Sequence, residues 1–312
     1  MSMRVLVTGA AGYLGSILVP ALLEKGFAVV ALDSFARNDA SLAALVANPQ
    51  FEPVRGDVRD EELIKQLLAS ADVVIPLAAL VGAPLCAQDP TNAQTINLDA
   101  VKILVKHMSS EQRIIFPTTN SGYGVGEKDS FCTEETPLRP VSLYGVTKVE
   151  AERAVLERGN SISLRLATVF GVSPRMRIDL LVNDFTYRAV MDRAVVVFEG
   201  DAKRNYIHVR DVAKAFLHSL DNFSSMCDNA FNVGLSDANL SKIELCTKIQ
   251  EVVPNFVYLT APIGEDPDKR DYIVSNEKIE ATGWKPDQSL EMGIRELVRG
   301  YRMIRDWRFR NA

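Results

Sequence analysis

The sequence predicts an α/β protein built on a doubly wound parallel sheet, with a smaller α/β lobe towards the C-terminus. In the first 120 residues, short apolar runs alternate with stretches of helical apolar spacing. Strands that are apolar along their whole length are typical of a parallel sheet buried on both faces. After about residue 170 the rhythm loosens, and prolines and glycines become frequent. A chain of 312 residues has room for both units.

The apolar pattern places the elements and the domain boundary. Strands are predicted at 4–8, 27–32, 51–54, 72–76 and 113–117, and helices at 13–25, 61–68 and 95–108. Further helices are predicted near 178–190, 212–220, 241–252 and 290–304. The first domain spans residues 1–170, with a return of the chain to it at about 207–235, and residues 171–312 form the second lobe.

Composition excludes several classes of protein. Hydrophobic residues make up 47% and charged residues 24%, which is typical of a globular chain. The net charge of −5 disfavours a nucleic-acid partner, and no apolar run reaches the roughly 20 residues of a membrane span. The four cysteines are widely spaced without a C-x-x-C pair, and the histidines form no cluster with carboxylates, so neither a disulfide framework nor a metal site is expected. The N-terminus lacks a signal-peptide pattern, so we expect a cytoplasmic protein.

Three glycines join the first predicted strand to the first helix. Gly9, Gly12 and Gly15 have the spacing G-x-x-G-x-x-G, with Tyr13 and Leu14 before the last. Glycines let the backbone turn tightly and approach a pyrophosphate, whose charge then faces the N-terminus of the helix. The order of strand, turn and helix therefore predicts a Rossmann-like dinucleotide site. The alternative is an ordinary turn between a strand and a helix.

The ends of the next strands supply further candidates for dinucleotide binding. Asp33 ends the second strand, where a carboxylate accepts hydrogen bonds from ribose hydroxyls and repels a 2′-phosphate, so NAD is favoured over NADP. Its alternative role is a cap. The other candidates follow the third and fourth strands: Asp57 and Val58 for the adenine, and Leu77, Ala78 and Ala79 for the pyrophosphate and ribose.

A tyrosine and a lysine predict the reacting centre. Tyr144 and Lys148 are four residues apart and share one face of a helix. A tyrosine acts as a base near neutral pH only if its environment favours the phenolate by roughly 4 kcal/mol. Lys148 and the positive nicotinamide ring of NAD+ are sources of this stabilisation. The hydroxyl-rich loop 117–124 ends a strand, so Thr119 is expected to hydrogen-bond the reacting oxygen; a turn rich in capping residues is the alternative.

Together these motifs resemble the extended short-chain dehydrogenase/reductases, specifically the NAD-dependent epimerase/dehydratase family that acts on nucleotide-sugars. The similar stretches are TGAAGYLG at 8–15, TTNSGYG at 118–124, YGVTK at 144–148, RLATVFG at 165–171, RNYIHVRDVA at 204–213 and RDYIVSNEKIEATGWKP at 270–286. The resemblance implies a Rossmann-like domain that binds NAD and a C-terminal lobe that binds a nucleoside-diphosphate sugar. It also implies a homodimer packed through a four-helix bundle, formed with helices 95–108 and 144–158.

The resemblance also implies roles for individual residues. Tyr144 resembles the catalytic base, Lys148 the lysine that holds the nicotinamide ribose, and Thr119 the catalytic Ser or Thr. Asn97 matches a polar position near the cofactor, although a satisfied amide on the helix surface is an equal alternative.

Substrate-binding residues carry over in the same way. Arg204 and Arg270 resemble the phosphate-binding arginines, and Asn183 resembles a residue at the diphosphate. Asn120 is assigned to the substrate site beside Thr119. Thr168 stands where many 4-epimerases have Asn, so this contact with the substrate is expected to differ. Arg175 and Arg177 are further candidates.

Two departures from the family pattern indicate the reaction. Asn120 and Ser121 replace the Asp-Glu pair with which sugar 4,6-dehydratases eliminate water, and Ser121 also replaces the Glu of sugar-acid decarboxylases. The favoured hypothesis is therefore an NAD-dependent nucleotide-sugar epimerase, acting at C4 through a transient 4-keto intermediate. The alternative is an NAD(P)-dependent dehydrogenase or reductase of a nucleotide-linked keto-sugar or of a small hydroxy or amino acid.

Overall fold

A computed structural model describes residues 2–36, 40–127, 130–261 and 270–304. Its strands are β1 (Arg4–Thr8), β2 (Ala28–Asp33), β3 (Phe51–Arg55), β4 (Val73–Pro76), β5 (Arg113–Thr119), β6 (Phe131–Cys132), β7 (Ser161–Leu166), β8 (Thr168–Phe170), β9 (Ala194–Phe198), β10 (Lys203–His208), β11 (Asn229–Val233), β12 (Asn239–Ser241), β13 (Val257–Ala261) and β14 (Ile273–Val274).

The helices alternate with these strands through most of the chain. They are α1 (Gly15–Glu24), α2 (Glu61–Leu68), α3 (Ala83–Gln88), α4 (Pro90–Gln94), α5 (Ala100–His107), α6 (Leu143–Arg158), α7 (Leu181–Met191), α8 (Val209–Asp221), α9 (Phe223–Met226), α10 (Lys242–Val252), α11 (Glu277–Glu280) and α12 (Leu290–Gly300). Shorter helical turns are the 3-10 helices Ala43–Leu45 and Asn120–Tyr123 and the π-helix Thr95–Asp99. None of the helices within the described ranges combines the length and apolar character that crossing a membrane requires.

A seven-stranded parallel sheet forms the centre of the described structure, in the order β11-β7-β5-β4-β1-β2-β3. The predicted α/β fold with a Rossmann-like parallel sheet is therefore confirmed. Strands β2 and β3 lie on one side of β1, and strands β4, β5, β7 and β11 lie on its other side. Such a reversal of strand order opens a crevice at the carboxyl ends of the strands, where ligands bind.

Helices cover both faces of the sheet, which explains why its strands are apolar along their length. Val5 and Val7 pack on the face covered by α1 and α8, whereas Leu6 packs on the opposite face with α2, α5 and α6. Both sets of side chains are buried, so alternation of polar and apolar residues is absent from β1.

A short parallel pair connects the second half of the chain to the edge of the first. β14 pairs with β6, and Asp271 forms a bridge with Val125. Tyr123, Cys132, Tyr272 and Val274 make a small apolar cluster beneath this pair. Elsewhere in this half, β10 pairs with β8 and β12, and α7, α10 and α12 pack on one another. The β14–β6 pair delivers Arg270 to the carboxyl edge of the central sheet.

Candidate active site

The glycine turn between β1 and α1 is packed so closely that side chains do not fit. Gly9 has φ +66°, and a Cβ there would lie 2.6 Å from the Ala78 backbone nitrogen. A Cβ at Gly15 would lie 2.4 Å from the Ala10 carbonyl oxygen. The turn leaves bare backbone at the N-terminus of a ten-residue helix, which fits the pyrophosphate of a dinucleotide.

Asp33 stands beside this turn at the end of β2. Its Oδ2 accepts a hydrogen bond from the Ala11 amide at 3.0 Å, and its Oδ1 accepts one from the Phe35 amide at 2.9 Å. The carboxylate is half-buried and fixed at the carboxyl edge of the sheet. A second lone pair on each oxygen remains for ribose hydroxyls.

Asp57 and Val58 follow β3 but are engaged by the protein. Asp57 forms an ion pair of 2.5 Å with Arg59, and this contact lowers the pKa of the Asp57 carboxyl. Val58 packs in the core cluster on the α2 side of the sheet. Both residues lie just after β3, and their contacts with the adenine stay a prediction.

Residues 77–79 follow β4 and are held against the glycine turn. The Leu77 amide donates to the Thr8 carbonyl at 2.9 Å. Asn97 fixes the next residue, because its Oδ1 accepts from the Leu80 amide at 2.7 Å and its Nδ2 donates to the Leu80 carbonyl at 2.9 Å. Asn97 is buried within the π-helix, so in this structure it orders the cofactor loop instead of lying on the helix surface.

Tyr144 lies in the first turn of α6 with its phenol towards Thr119. Burial raises the pKa of Tyr144 to about 12. The positive charges of Arg270 and Arg177 oppose this rise, and so does a hydrogen bond with the Thr119 hydroxyl. Thr119 and Tyr144, predicted from separate motifs, are therefore in contact. The protein alone leaves the phenol protonated at neutral pH, so its use as a base needs a further positive charge.

Lys148 lies one turn after Tyr144 and is only 4% exposed. Burial lowers the pKa of Lys148 to about 7, and the negative charge of Glu152 partly offsets this effect. The Nζ atom lies 4.1 Å from the centroid of the Phe116 ring, within the range of a cation–π contact. The site thus holds an amine whose charge depends closely on its surroundings.

The loop after β5 holds polar side chains in a buried place. Thr119 caps the 3-10 helix that follows it, since its Oγ1 accepts from the Ser121 amide at 3.1 Å. Arg270 donates a hydrogen bond to the Ser121 hydroxyl. Asn120 is 1% exposed, and neither of its side-chain polar atoms has a hydrogen-bond partner among the described residues. Buried amides without partners are rare in proteins and are suited to receive a ligand.

Asn183 connects the glycine turn to the second half of the chain. Its Oδ1 accepts from the Gly171 amide at 3.0 Å, and its Nδ2 donates to the Arg177 carbonyl at 2.8 Å and to the Tyr13 hydroxyl at 3.3 Å. The Tyr13 hydroxyl in turn donates to the Gly171 carbonyl at 2.7 Å. The Asn183 amide is therefore committed to protein groups, and its role at the diphosphate stays a prediction.

Two predicted phosphate-binding arginines converge on one place. Arg204 is buried on β10, and both Arg204 and Arg270 act on the buried phenol of Tyr206, whose pKa is raised chiefly by burial. Arg270 acts on Tyr144 as well. Positive charge therefore extends from β10 to the reacting phenol. Thr168 is half-buried and pairs with Tyr206 in the β8–β10 ladder.

The structure contains a buried ion pair behind Lys148 that was not predicted from the sequence. Glu152 on α6 and Arg165 on β7 are joined at 2.7 Å. The spacing of four residues from Lys148 to Glu152 repeats that from Tyr144 to Lys148, which puts all three on one side of the helix. That repeat is a signal by which Glu152 can be found, and Arg165 begins the run 165–171 that resembles the family.

Fold and site together define a dinucleotide-binding class of enzyme, in which Thr119, Tyr144 and Lys148 lie together at the end of β5 and on α6. The sequence model of the NAD dependent epimerase/dehydratase family matches residues 5–234. The chain belongs to this family, NAD is its cofactor, and the glycine turn and Asp33 described above fit that cofactor.

Known relatives cover nearly the whole chain. The low-salt glycan biosynthesis protein Agl12 of Haloferax volcanii is 31% identical, over 96% of this chain and 98% of the relative. UDP-glucuronate 4-epimerase 1 of Arabidopsis thaliana is 27% identical, over 95% and 76% respectively. UDP-glucuronic acid decarboxylase 1 of the same plant is 26% identical, over 96% and 70%.

Solved structures agree with this assignment. UDP-glucose 4-epimerase of Thermotoga maritima, determined with UDP-glucose, has a TM-score of 0.83 at 25% identity and covers 96% of this chain and 99% of its own. UDP-glucose 4-epimerase of Thermus thermophilus, in complex with NAD, has a TM-score of 0.82 at 26% identity, with coverages of 96% and 99%. The protein is thus related throughout to enzymes of nucleotide-sugar metabolism.

Proposed function

We propose that the protein epimerises a nucleoside-diphosphate sugar at C4. One observation carries the proposal. The side chains of Thr119 and Tyr144 are in contact, and Lys148 lies one helical turn after Tyr144, but the two residues after Thr119 are an asparagine and a serine. Elimination of water needs an acid and a base at those positions, and Asn120 and Ser121 supply neither. This set of groups supports a reaction in which one carbon of the sugar is first oxidised and then reduced again.

The residues of the chain move the proton. Tyr144 accepts the proton of the C4 hydroxyl, and the Arg270 guanidinium and the Thr119 hydroxyl favour its phenolate. Lys148, one turn away, adds its positive charge when it is protonated. The glycine turn and Asp33 would hold NAD+, which would supply the exchange of hydride with C4. The substrate would pass through a 4-keto sugar that turns in the site before it is reduced again. Tyr144 then gives its proton back to the C4 oxygen, so atoms and charges balance over the cycle.

The charge around the site supports a substrate with more than one anionic group. Arg204 and Arg270 suit the diphosphate through charge-assisted hydrogen bonds. Arg270 also acts on the Tyr144 phenol, whereas Arg177 near the same phenol is paired with Asp179 at 2.5 Å. A sugar with a carboxylate next to C4 would match the positive charge of Arg270. We therefore propose a nucleotide-linked uronic acid as the substrate.

The test compares two nucleotide-sugars in deuterium oxide. UDP-glucuronate and UDP-glucose are each incubated with the protein, and the product is followed by proton NMR. We expect the C4 epimer, formed faster from UDP-glucuronate, with protium retained at C4 because hydride never exchanges with solvent. Net accumulation of NADH would instead indicate the dehydrogenase alternative.

The Tyr144→Phe variant tests the mechanism. It removes the proton acceptor and keeps the shape, so turnover is expected to fall by about 10²–10⁴ while NAD remains bound. Tyr258→Phe is the matched control, since Tyr258 contacts Thr247 far along the chain from the site. Unchanged turnover in Tyr144→Phe would rule out the proposed chemistry.

A further inference from the structure

The ion pair behind Lys148 is one of the most enclosed in the described structure. Glu152 is 3% exposed and Arg165 is 6% exposed. The Arg165 Nη2 and Nε atoms donate to Glu152 Oε1 at 2.7 Å and 3.1 Å, and the Ser163 hydroxyl donates to Oε2 at 2.8 Å. Burial of two charges costs more free energy than their attraction commonly returns, so such a pair is weak evidence of a role in stability alone.

The pair joins the helix that bears Tyr144 to the loop that bears Thr119. Arg165 Nη1 donates to the Tyr123 hydroxyl at 3.1 Å, and that hydroxyl donates to Asn232 Oδ1 at 2.7 Å. Tyr123 ends the 3-10 helix that begins directly after Thr119. A continuous chain of hydrogen bonds therefore runs from α6 through β7 to the reacting loop.

The pair also controls the charge around Lys148. Phe116 faces the ammonium from β5, Tyr144 lies one turn before it on α6, and Glu152 lies one turn after it. Among the described residues, Glu152 is the charged group whose field acts on Lys148. Arg165 stands behind Glu152 on β7 and partly neutralises it.

We propose that Glu152 and Arg165 are positioning residues for the reaction. Glu152 favours the protonated form of the buried Lys148, and Arg165 limits that effect while it fastens the Thr119 loop to α6. The inference rests on the proposed function only for the roles of Thr119, Tyr144 and Lys148.

The proposal predicts opposite effects from the two partners. Glu152→Gln leaves the positive charge of Arg165 near Lys148, so Lys148 loses its proton at lower pH. Arg165→Met leaves the negative charge of Glu152 unneutralised, so Lys148 keeps its proton to higher pH. A purely structural role would not move the titration of Lys148 in opposite directions.

The titration is measured on the whole protein with lysine labelled with ¹³C next to the amine. The Lys148 resonance is assigned by its loss in Lys148→Arg. We expect its midpoint to fall by about one pH unit in Glu152→Gln, with turnover about tenfold lower on the alkaline side of the profile. Glu152→Asp retains the charge and is expected to restore most of the midpoint. Glu150→Gln, exposed on the same helix, is the control that leaves both readouts unchanged.

A double variant covers the case in which an unpaired buried charge prevents folding. Glu152→Gln/Arg165→Met leaves neither charge behind, and Lys148 is expected to titrate below its wild-type midpoint because burial then acts unopposed. An unchanged midpoint there, or shifts of the same sign in both single variants, would overturn the proposal. The NMR readout needs no turnover, so absence of epimerisation in the wild type would refute the proposed function separately.

Discussion

The glycine turn and the Thr119 loop lie at the same edge of the sheet but are built in different ways. The turn is fixed by backbone packing, with Gly9 and Gly15 against main-chain atoms of Ala78 and Ala10. The loop at the end of β5 instead gathers buried polar groups, and Asn120 is left without a protein partner among the described residues. The turn that we expect to hold the cofactor fits closely against main-chain atoms, whereas the loop that we propose to take part in the reaction buries polar groups at a cost in stability.

The largest effect is expected from removing the buried amine. Burial lowers the pKa of Lys148 to about 7, so the folded protein binds this proton less tightly than the unfolded chain does. Lys148 therefore lowers the free energy of unfolding below pH 7, and this cost is relieved as the pH rises towards the ordinary lysine pKa near 10.5. Lys148→Met should be more stable than the wild type by about 2–4 kcal/mol at pH 6.

Thermal or urea unfolding at pH 6 and pH 9 checks this prediction. The gain is expected to be smaller at pH 9, and turnover should be lost at both. Equal gains at the two pH values would show that Lys148 titrates as an ordinary lysine. The buried polar groups of the loop and of the adjoining helix α6 would then carry no cost from this amine.

A smaller effect tests the turn. The Cβ of Gly15→Ala would lie 2.4 Å from the Ala10 carbonyl oxygen, so the backbone that faces the pyrophosphate must move. We expect about 1–3 kcal/mol weaker NAD binding by calorimetry, without a change in the titration of Lys148. Gly26→Ala is the control, because a Cβ at Gly26 would have open space around it; its φ of +87° makes this a strained site, whereas Gly15 has no positive φ. Equal losses of affinity in the two variants would show that fit at the turn is not the cause.

An effect no larger than that of Gly15→Ala is expected where the turn meets the second half of the chain. Tyr13→Phe removes a hydroxyl that contacts Gly171 and Asn183, and should lower the free energy of unfolding by about 1–3 kcal/mol because the groups left behind are buried. Urea unfolding measures the loss, with Tyr258→Phe as the control. A neutral result would mean that the two halves are held together by apolar packing alone.

The sheet and the cofactor turn follow from local pattern, which is why the sequence predicts them well. The predicted strand 4–8 and helix 61–68 agree with β1 and α2, since an apolar run ends at Gly9 and a capping Asp60 precedes α2. Helix α3 was not predicted, because six residues with a proline at the start give too little periodicity. The predicted helix 95–108 begins as a π-helix and continues from α4, and a π-helical turn does not follow the period of 3.6 residues on which the prediction depended.

The surroundings of the proposed reacting centre follow from the sequence only in part, for a different reason. Tyr144 and Lys148 form a local motif on one helix, and the Thr119 loop follows a strand of the sheet. The contact of Arg270 with Ser121 depends on β14 and β6, two strands of two residues each that are far apart in the chain. The Glu152–Arg165 pair likewise joins a helix to a strand. Contacts of this kind leave no periodic trace in a sequence.

The pairing of β14 with β6 has a consequence for synthesis of the protein. Arg270 is translated long after the glycine turn, the Thr119 loop and α6, yet it contacts the same loop that bears the reacting hydroxyl. A nascent chain that has already folded its central sheet therefore still lacks one of the charges that act on Tyr144. The enzyme gains its complete electrostatic environment only when translation has passed residue 270 and the late strand has docked.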